Sequence, residues 1–202
     1  LNTVEVVDNY ANVYGSDTHL LYHSHSGECS GGTVSNFPIS LANSSARVRD
    51  VLTLDLGNAN HAIIASLTDG GLLITNTIQG NFTTDYRIID TNNNLFDNDV
   101  FSLLVEYTSN SDGTGRIPHR LWIGTEVGIN YVDLPSGVLP TGTIEVQQLL
   151  QVPDILREKP IGSLVLIDET TTPALLVGTT SGQLARFEIA TGQWHVMGFN
   201  QA

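Results

Sequence analysis

Apolar residues in this chain fall in short runs of Val, Ile, Leu and Thr, each bounded by Gly, Asn, Asp or Pro. Four stretches repeat one pattern: LLYHSHSG (20–27), IIASLTDGGLLI (63–74), LWIGTEVGINYV (121–132) and LLVGTTSGQLARF (175–187). Each is an apolar run and a small-residue turn ending in Gly27, Gly70, Gly128 or Gly182, and three of them continue into a second apolar run. Runs this short with turn signals between them predict strands. A unit recurring about every 50 residues predicts a repeat architecture. The one helical candidate, Glu145 to Arg157, is interrupted by Pro153.

The unit extends in both directions. Upstream, RDVLTLDL, NDVFSLLV and KPIGSLVLI superpose Val51, Val100 and Ile161, then Leu54, Leu103 and Leu164. Downstream, further turns fall at Gly80, Gly137 and Gly192. The order strand, loop, strand, tight turn, strand, turn, strand predicts an all-β fold, a β-propeller of about four four-stranded blades or an arc of a larger propeller. The chain reads as one domain, residues 1–202, with blades at 1–46, 47–96, 97–158 and 159–202. The turn glycines supply positive φ without a steric penalty. Gly124 and Gly178 stand where the other units have Ser66 and His23, and a small residue there lets neighbouring blades approach. Trp122, with Ile64, Leu21 and Leu176 at the same position, is expected to fill the wedge between blades. Four blades can close a small ring, and Thr3 to Val7 beside Trp194-His195-Val196 is the candidate closing pair.

The stretches LWIGTEVGINYVDLPSG and NNNLFDNDVFSLL resemble the two-component-regulator propeller repeat, a family with a short "L..N.V..L" segment, a variable loop, "LWIGT..GL.RY" and a Gly turn. The match is strongest over Leu95–Gly137 and continues over Ile161–Trp194, with an insertion at 109–119. The resemblance implies a propeller in an extracytoplasmic location (periplasmic, cell surface or secreted), acting as a sensor ectodomain, often for glycans, or as part of a surface assembly. It implies no catalytic residues. Four repeats are fewer than the family's usual ring.

Charge narrows the partners. With 21 acidic residues against eight Lys and Arg, the formal net charge is −13. That disfavours phosphate backbones and anionic membranes, so no nucleic acid and no direct membrane insertion are expected. A glycan, a protein or a bound cation fits, as does a homo-oligomer or larger assembly. Thr, Asn and Ser make up about a quarter of the chain and Lys159 is the only lysine, a composition common in exported β-proteins. Cys29 is the sole cysteine, so no internal disulfide forms.

Motifs for chemistry are sparse. His23 and His25, one residue apart, can chelate a divalent metal with Cys29 as a third ligand; the repeat alignment puts His23 to Gly27 on the hairpin turn and favours a polar turn followed by a buried thiol. Asp90 to Asn94 opens like a calcium loop, but Leu95 and Phe101 stand where Gly and Glu are needed, which favours a polar inter-blade connection. GTTSG (178–182) places its Ser one position late for a nucleophile elbow. There is no phosphate-binding loop and no H-E-x-x-H. Asn43-Ser44-Ser45 and Asn81-Phe82-Thr83 fit the glycosylation acceptor pattern.

In a propeller the tight turns and the approaches to the inner strands share one face. Here that face carries His23, His25, Asp69, Glu126 and Thr180 from the turns, and Arg49, Asp99 and Lys159 from the approaches. The reading is a non-catalytic exported module recognising a glycan or protein. The alternatives are a structural subunit of a surface assembly and a propeller lyase or hydrolase with no motif to support it. No cofactor is expected beyond a divalent metal at the histidine pair.

Overall fold

The computed structural model describes residues 3–8, 11–15, 19–24, 33–38, 46–57, 60–78, 81–109, 116–134, 144–167 and 173–198. Among these residues, sixteen strands form four antiparallel sheets in chain order. The first holds β1 (Thr3–Asp8), β2 (Ala11–Gly15), β3 (His19–Ser24) and β4 (Thr33–Pro38). The second holds β5 (Val48–Gly57), β6 (Asn60–Leu67), β7 (Gly71–Ile78) and β8 (Asn81–Ile89). The third holds β9 (Val100–Ser109), β10 (Arg116–Thr125), β11 (Ile129–Asp133) and β12 (Gln147–Gln148). The fourth holds β13 (Ile161–Ile167), β14 (Ala174–Thr179), β15 (Leu184–Glu188) and β16 (Gln193–Met197).

The first strand of each sheet is the innermost. β1 lies against β5, β5 against β9 and β9 against β13. Among the described residues no comparable contact returns from β13 to β1, so the four sheets form an arc of a β-propeller. The expected closing pair is corrected here: β1 pairs with β2 on the inner side of the first sheet, and β16 pairs with β15 on the outer side of the fourth. The 145–157 segment is extended rather than helical. Leu149 N–H donates to Ile129 C=O at 2.9 Å, prolonging the β11–β12 pairing, and Pro153 and Asp154 open a turn closed by Leu156 and Arg157.

Apolar cores fill the junctions between sheets. Leu20 meets Val48, Val51 and Ile63 at the first, Ile64 meets Val100, Leu103 and Ile123 at the second, and Trp122 meets Ile161, Leu175 and Phe187 at the third. Ile64 and Trp122 thus take the expected wedge position. In the first sheet Leu20 lies in the junction core, and the side chain of Leu21 lies outside the described residues. Leu176 turns to the outer face of the fourth sheet, opposite its neighbours Leu175 and Val177.

Gly124 behaves as its position predicted. A Cβ there would lie 2.4 Å from Ser102 Oγ and 2.7 Å from Ile161 O on the next sheet. The turn glycines divide. Gly182 is left-handed (φ 90°), but at the β6–β7 turn Asp69 (φ 51°) and Gly71 (φ 73°) take that conformation instead of Gly70. Gly128 is needed for space, since its Cβ would sit 2.8 Å from the Phe96 ring.

Candidate functional site

One β-bulge recurs in three inner strands. Val48 pairs with Leu67 and Asp50 with Ser66, leaving Arg49 unopposed; the same step leaves Phe101 in β9 and Gly162 in β13. A bulge re-aims its side chain and bends the strand. Just before each bulged step a carbonyl receives the amide of the nearby tight turn: Thr68 N–H to Arg47 O at 2.9 Å, Glu126 N–H to Asp99 O at 3.0 Å, and Thr180 N–H to Pro160 O at 3.0 Å. Gly71 N–H also donates to Asn98 O at 2.7 Å, from the second sheet to the approach of the third. These bonds hold turns and approaches together on one face.

The register corrects the sequence alignment in the second unit. Val48 and Val51, not Val51 and Leu54, match Val100 and Leu103. Arg47 is therefore the counterpart of Asp99, and Arg49 is a bulge residue within the inner strand. It reaches the next sheet: Nη1 lies 2.9 Å from Asp99 Oδ1, Nη2 donates to Asp99 Oδ2 at 3.2 Å, and the guanidinium lies 3.8 Å from the Phe101 ring centre. Burial pushes the Asp99 carboxyl above its ordinary range; Arg49 pulls it down, while Asp69 and Asp97 add to the rise. Asp50 also spans the junction, its Oδ2 accepting from Leu103 N–H at 3.2 Å and its Oδ1 from Val51 N–H at 3.0 Å. Burial raises its pKa against the pull of these two bonds.

Asp69, Glu126, Lys159 and Thr180 are exposed on this face. His23 lies in β3, whose backbone alone is described there, and His25 and Cys29 lie outside the described residues. Among the described residues no group of three or more His, Cys, Asp and Glu is placed to hold a metal ion.

A pocket of about 450 Å³ opens beside the β10–β11 turn. Its lining is Phe96, Val127, Gly128, Leu149, Leu150 and Val152, with Arg157 and Glu158 as its charged groups. The connection from β8 to β9 builds one wall. Asp90 caps a short 3₁₀ turn (Thr91–Asn93), where its carboxylate accepts from Asn92 N–H and Nδ2–H, so the calcium-loop resemblance resolves into a local cap. Buried Asn130 then accepts from Phe96 N–H at 3.0 Å and donates to Asn94 O and Gln147 O, fixing the Phe96 segment on β11. Sequence reasoning missed this pocket because its other wall, 149–158, read as a broken helix. The available signal was Leu149-Leu150 just before Pro153.

No family model matches the chain, and no curated protein matches it. Among solved structures, it is similar to the extracellular domain of the one-component system BT4673 of B. thetaiotaomicron, at 15% identity and a TM-score of 0.52. The match covers 97% of this chain and 22% of that one, so the chain spans under a quarter of that domain's length. At this identity the likeness concerns the fold, which is the propeller arc described above. No helix among the described residues is long and apolar enough to cross a membrane.

Proposed function

We propose that this chain is a non-catalytic, extracytoplasmic recognition module that binds a soluble glycan at its turn face. The observation that carries the reading is the pocket beside the β10–β11 turn. It joins an apolar floor with an aromatic ring, Phe96, to one cation and one carboxylate at a face already rigidified by turn-to-strand hydrogen bonds. Apolar walls with a few fixed polar groups are the usual make-up of a small-ligand site. The apolar face of a sugar ring suits Phe96 and Leu149, and its hydroxyls suit Arg157 and Glu158. The net charge of −13 favours a neutral ligand over an anionic one. The fold's likeness to the extracellular domain of a one-component system supports the same location and role.

A thermal-shift panel of neutral oligosaccharides tests it. A sugar present at a hundred times its Kd adds about 2.7 kcal/mol, or roughly 5–10 °C for a domain of this size. Leu150 is 72% exposed, so Leu150→Asp should leave the unliganded melting temperature unchanged and abolish the shift. A flat panel, or a shift that survives Leu150→Asp, overturns the reading. A shift given only by peptides would assign the pocket to a protein partner.

A further inference from the structure

The third sheet departs from the repeat at one buried position. Ser66, Gly124 and Gly178 are equivalent, each paired with the residue that follows the bulge of its inner strand. Their partners on the next strand, Leu72, Ile129 and Leu184, are then equivalent too, and so are the residues after them: Leu73, Asn130 and Ala185. All three are 0% exposed. Leu73 and Ala185 are apolar and belong to the cores of their junctions. Asn130 puts a carboxamide in that row, and both of its ends are bonded. Its Oδ1 accepts from Phe96 N–H at 3.0 Å, and its Nδ2 donates to Asn94 O and Gln147 O, each at 3.2 Å. One donor on one side and two acceptors on the other call for an amide, since an ionised carboxylate has no hydrogen for the two carbonyls. The three partners lie on two segments that follow no repeat. Asn94 leads to Phe96 on one wall of the pocket, and Gln147 stands two residues before Leu149 on the other. Asn94 Nδ2 also donates to Val146 O at 2.8 Å, and Gln148 Nε2 to Asn94 O at 3.1 Å, which closes a clasp around Asn130.

We propose that Asn130 is the positioning residue of the pocket: it sets the distance between Phe96 and Leu149 before a ligand arrives. Asn130 is not one of the lining residues, so it acts through the walls and not by touching what they hold. For the identity of the ligand the proposal rests on the glycan reading above; the positioning itself does not. Walls held at their working distance spare the ligand the entropy of ordering them, which is how a preformed site gains affinity. The repeat alone would put an apolar side chain at this position, as it does at Leu73 and Ala185, and such a residue could bond neither segment. A buried polar group is costly unless its partners are present, so the bonds of Asn130 hold only while both segments stay in place. The two walls are therefore expected to open together.

Amide hydrogen exchange on the unliganded protein, read residue by residue, is the test, paired with titration of the neutral oligosaccharide that gives the parent its largest melting shift. Asn130→Asp keeps an acceptor for Phe96 N–H and loses both donors. The Leu149 amide, bonded to Ile129 O in the parent, should exchange about tenfold faster or more, while the Phe96 amide stays protected. The sugar should bind about tenfold more weakly, measured well below the melting temperature of each protein so that lost global stability does not enter. Asn94→Gly supplies the result if Asn130→Asp fails to fold. Glycine accepts the left-handed backbone of Asn94 (φ 74°), and the variant loses only the bond to Val146 O. It should speed Leu149 exchange and weaken the sugar in the same direction, by a smaller factor. Three outcomes overturn the proposal: Leu149 exchange as in the parent in the folded variants, Phe96 and Leu149 amides speeding by one common factor in Asn130→Asp, as a global loss of stability would cause, and unchanged affinity for a sugar that binds the parent. If no sugar binds the parent, the glycan reading fails and the exchange of the two amides decides the role of Asn130.

Discussion

At the residue scale, the junctions between sheets depend on a few small or polar groups. Gly124→Ala drives a methyl against Ser102 Oγ and Ile161 O, so urea denaturation should show a loss of about 1–3 kcal/mol. Ser102→Ala removes only the inter-sheet bond and should cost about 1 kcal/mol. Asp50 gives a pH signature. Its folded pKa is raised, so the native protein holds the proton more tightly than the unfolded chain. The ionised carboxylate costs stability as pH rises through the native value, and nothing while both states are protonated, below the ordinary Asp value. Asp50→Asn keeps an acceptor for Leu103 N–H and gives up the one for Val51 N–H, a pH-independent loss, so relative to the parent it should gain stability between acid conditions and pH 7. A stability difference between variant and parent that is the same at both pH values would contradict this account. Gly124 was legible in the sequence because its spacing from the Gly128 turn recurs in the fourth unit. Asp50 was not, because its partner is a backbone amide 53 residues away.

At the element scale, the unit that repeats is a sheet with a bulged inner strand. The strands could be read from apolar runs between turn residues, but the bulge could not. Arg49, Phe101 and Gly162 occupy one structural position with nothing chemical in common, and what they share is a missing ladder partner. Aligning β5 by its apolar pattern slipped it by three because Val48, Val51 and Leu54 repeat the same three-residue spacing. The wedge position was clearer, since Trp122 could not be placed anywhere but a junction. It is fully buried, and its Nε1–H donates to buried Glu106 at 3.0 Å. Trp122→Ala should cost about 3–5 kcal/mol. Trp122→Phe keeps most of the apolar burial but leaves Glu106 without this donor, and should cost about 1–3 kcal/mol. Both are readable by chemical denaturation: a loss near zero in Trp122→Phe would mean the hydrogen bond contributes little, and equal losses in the two would mean that it outweighs the burial.

At the scale of the whole molecule, the arrangement of sheets sets where recognition can occur. The inner strands in series place the β6–β7, β10–β11 and β14–β15 turns on one face, and the Arg49–Asp99 pair fastens the second sheet to the third there. Arg49→Ala should therefore loosen that junction as well as remove a charge from the face, lowering the melting temperature even with no ligand present. Asp69→Ala should cost at most about 1 kcal/mol, because Ala tolerates the positive φ (51°) of this exposed turn position less well than Asp. The face was legible from the repeat alone. The pocket was not, since it is built by two connections, 90–98 and 149–158, that follow no repeat.

Hydrogen exchange on the protein with and without the strongest sugar from the thermal-shift panel tests the central claim most directly. If the turn face is the recognition surface, protection should appear at the amides of 96–101, 126–130 and 149–158, while the outer strands β8 and β16 exchange as before. Protection confined to the outer strands or to the open face of the fourth sheet would contradict the account.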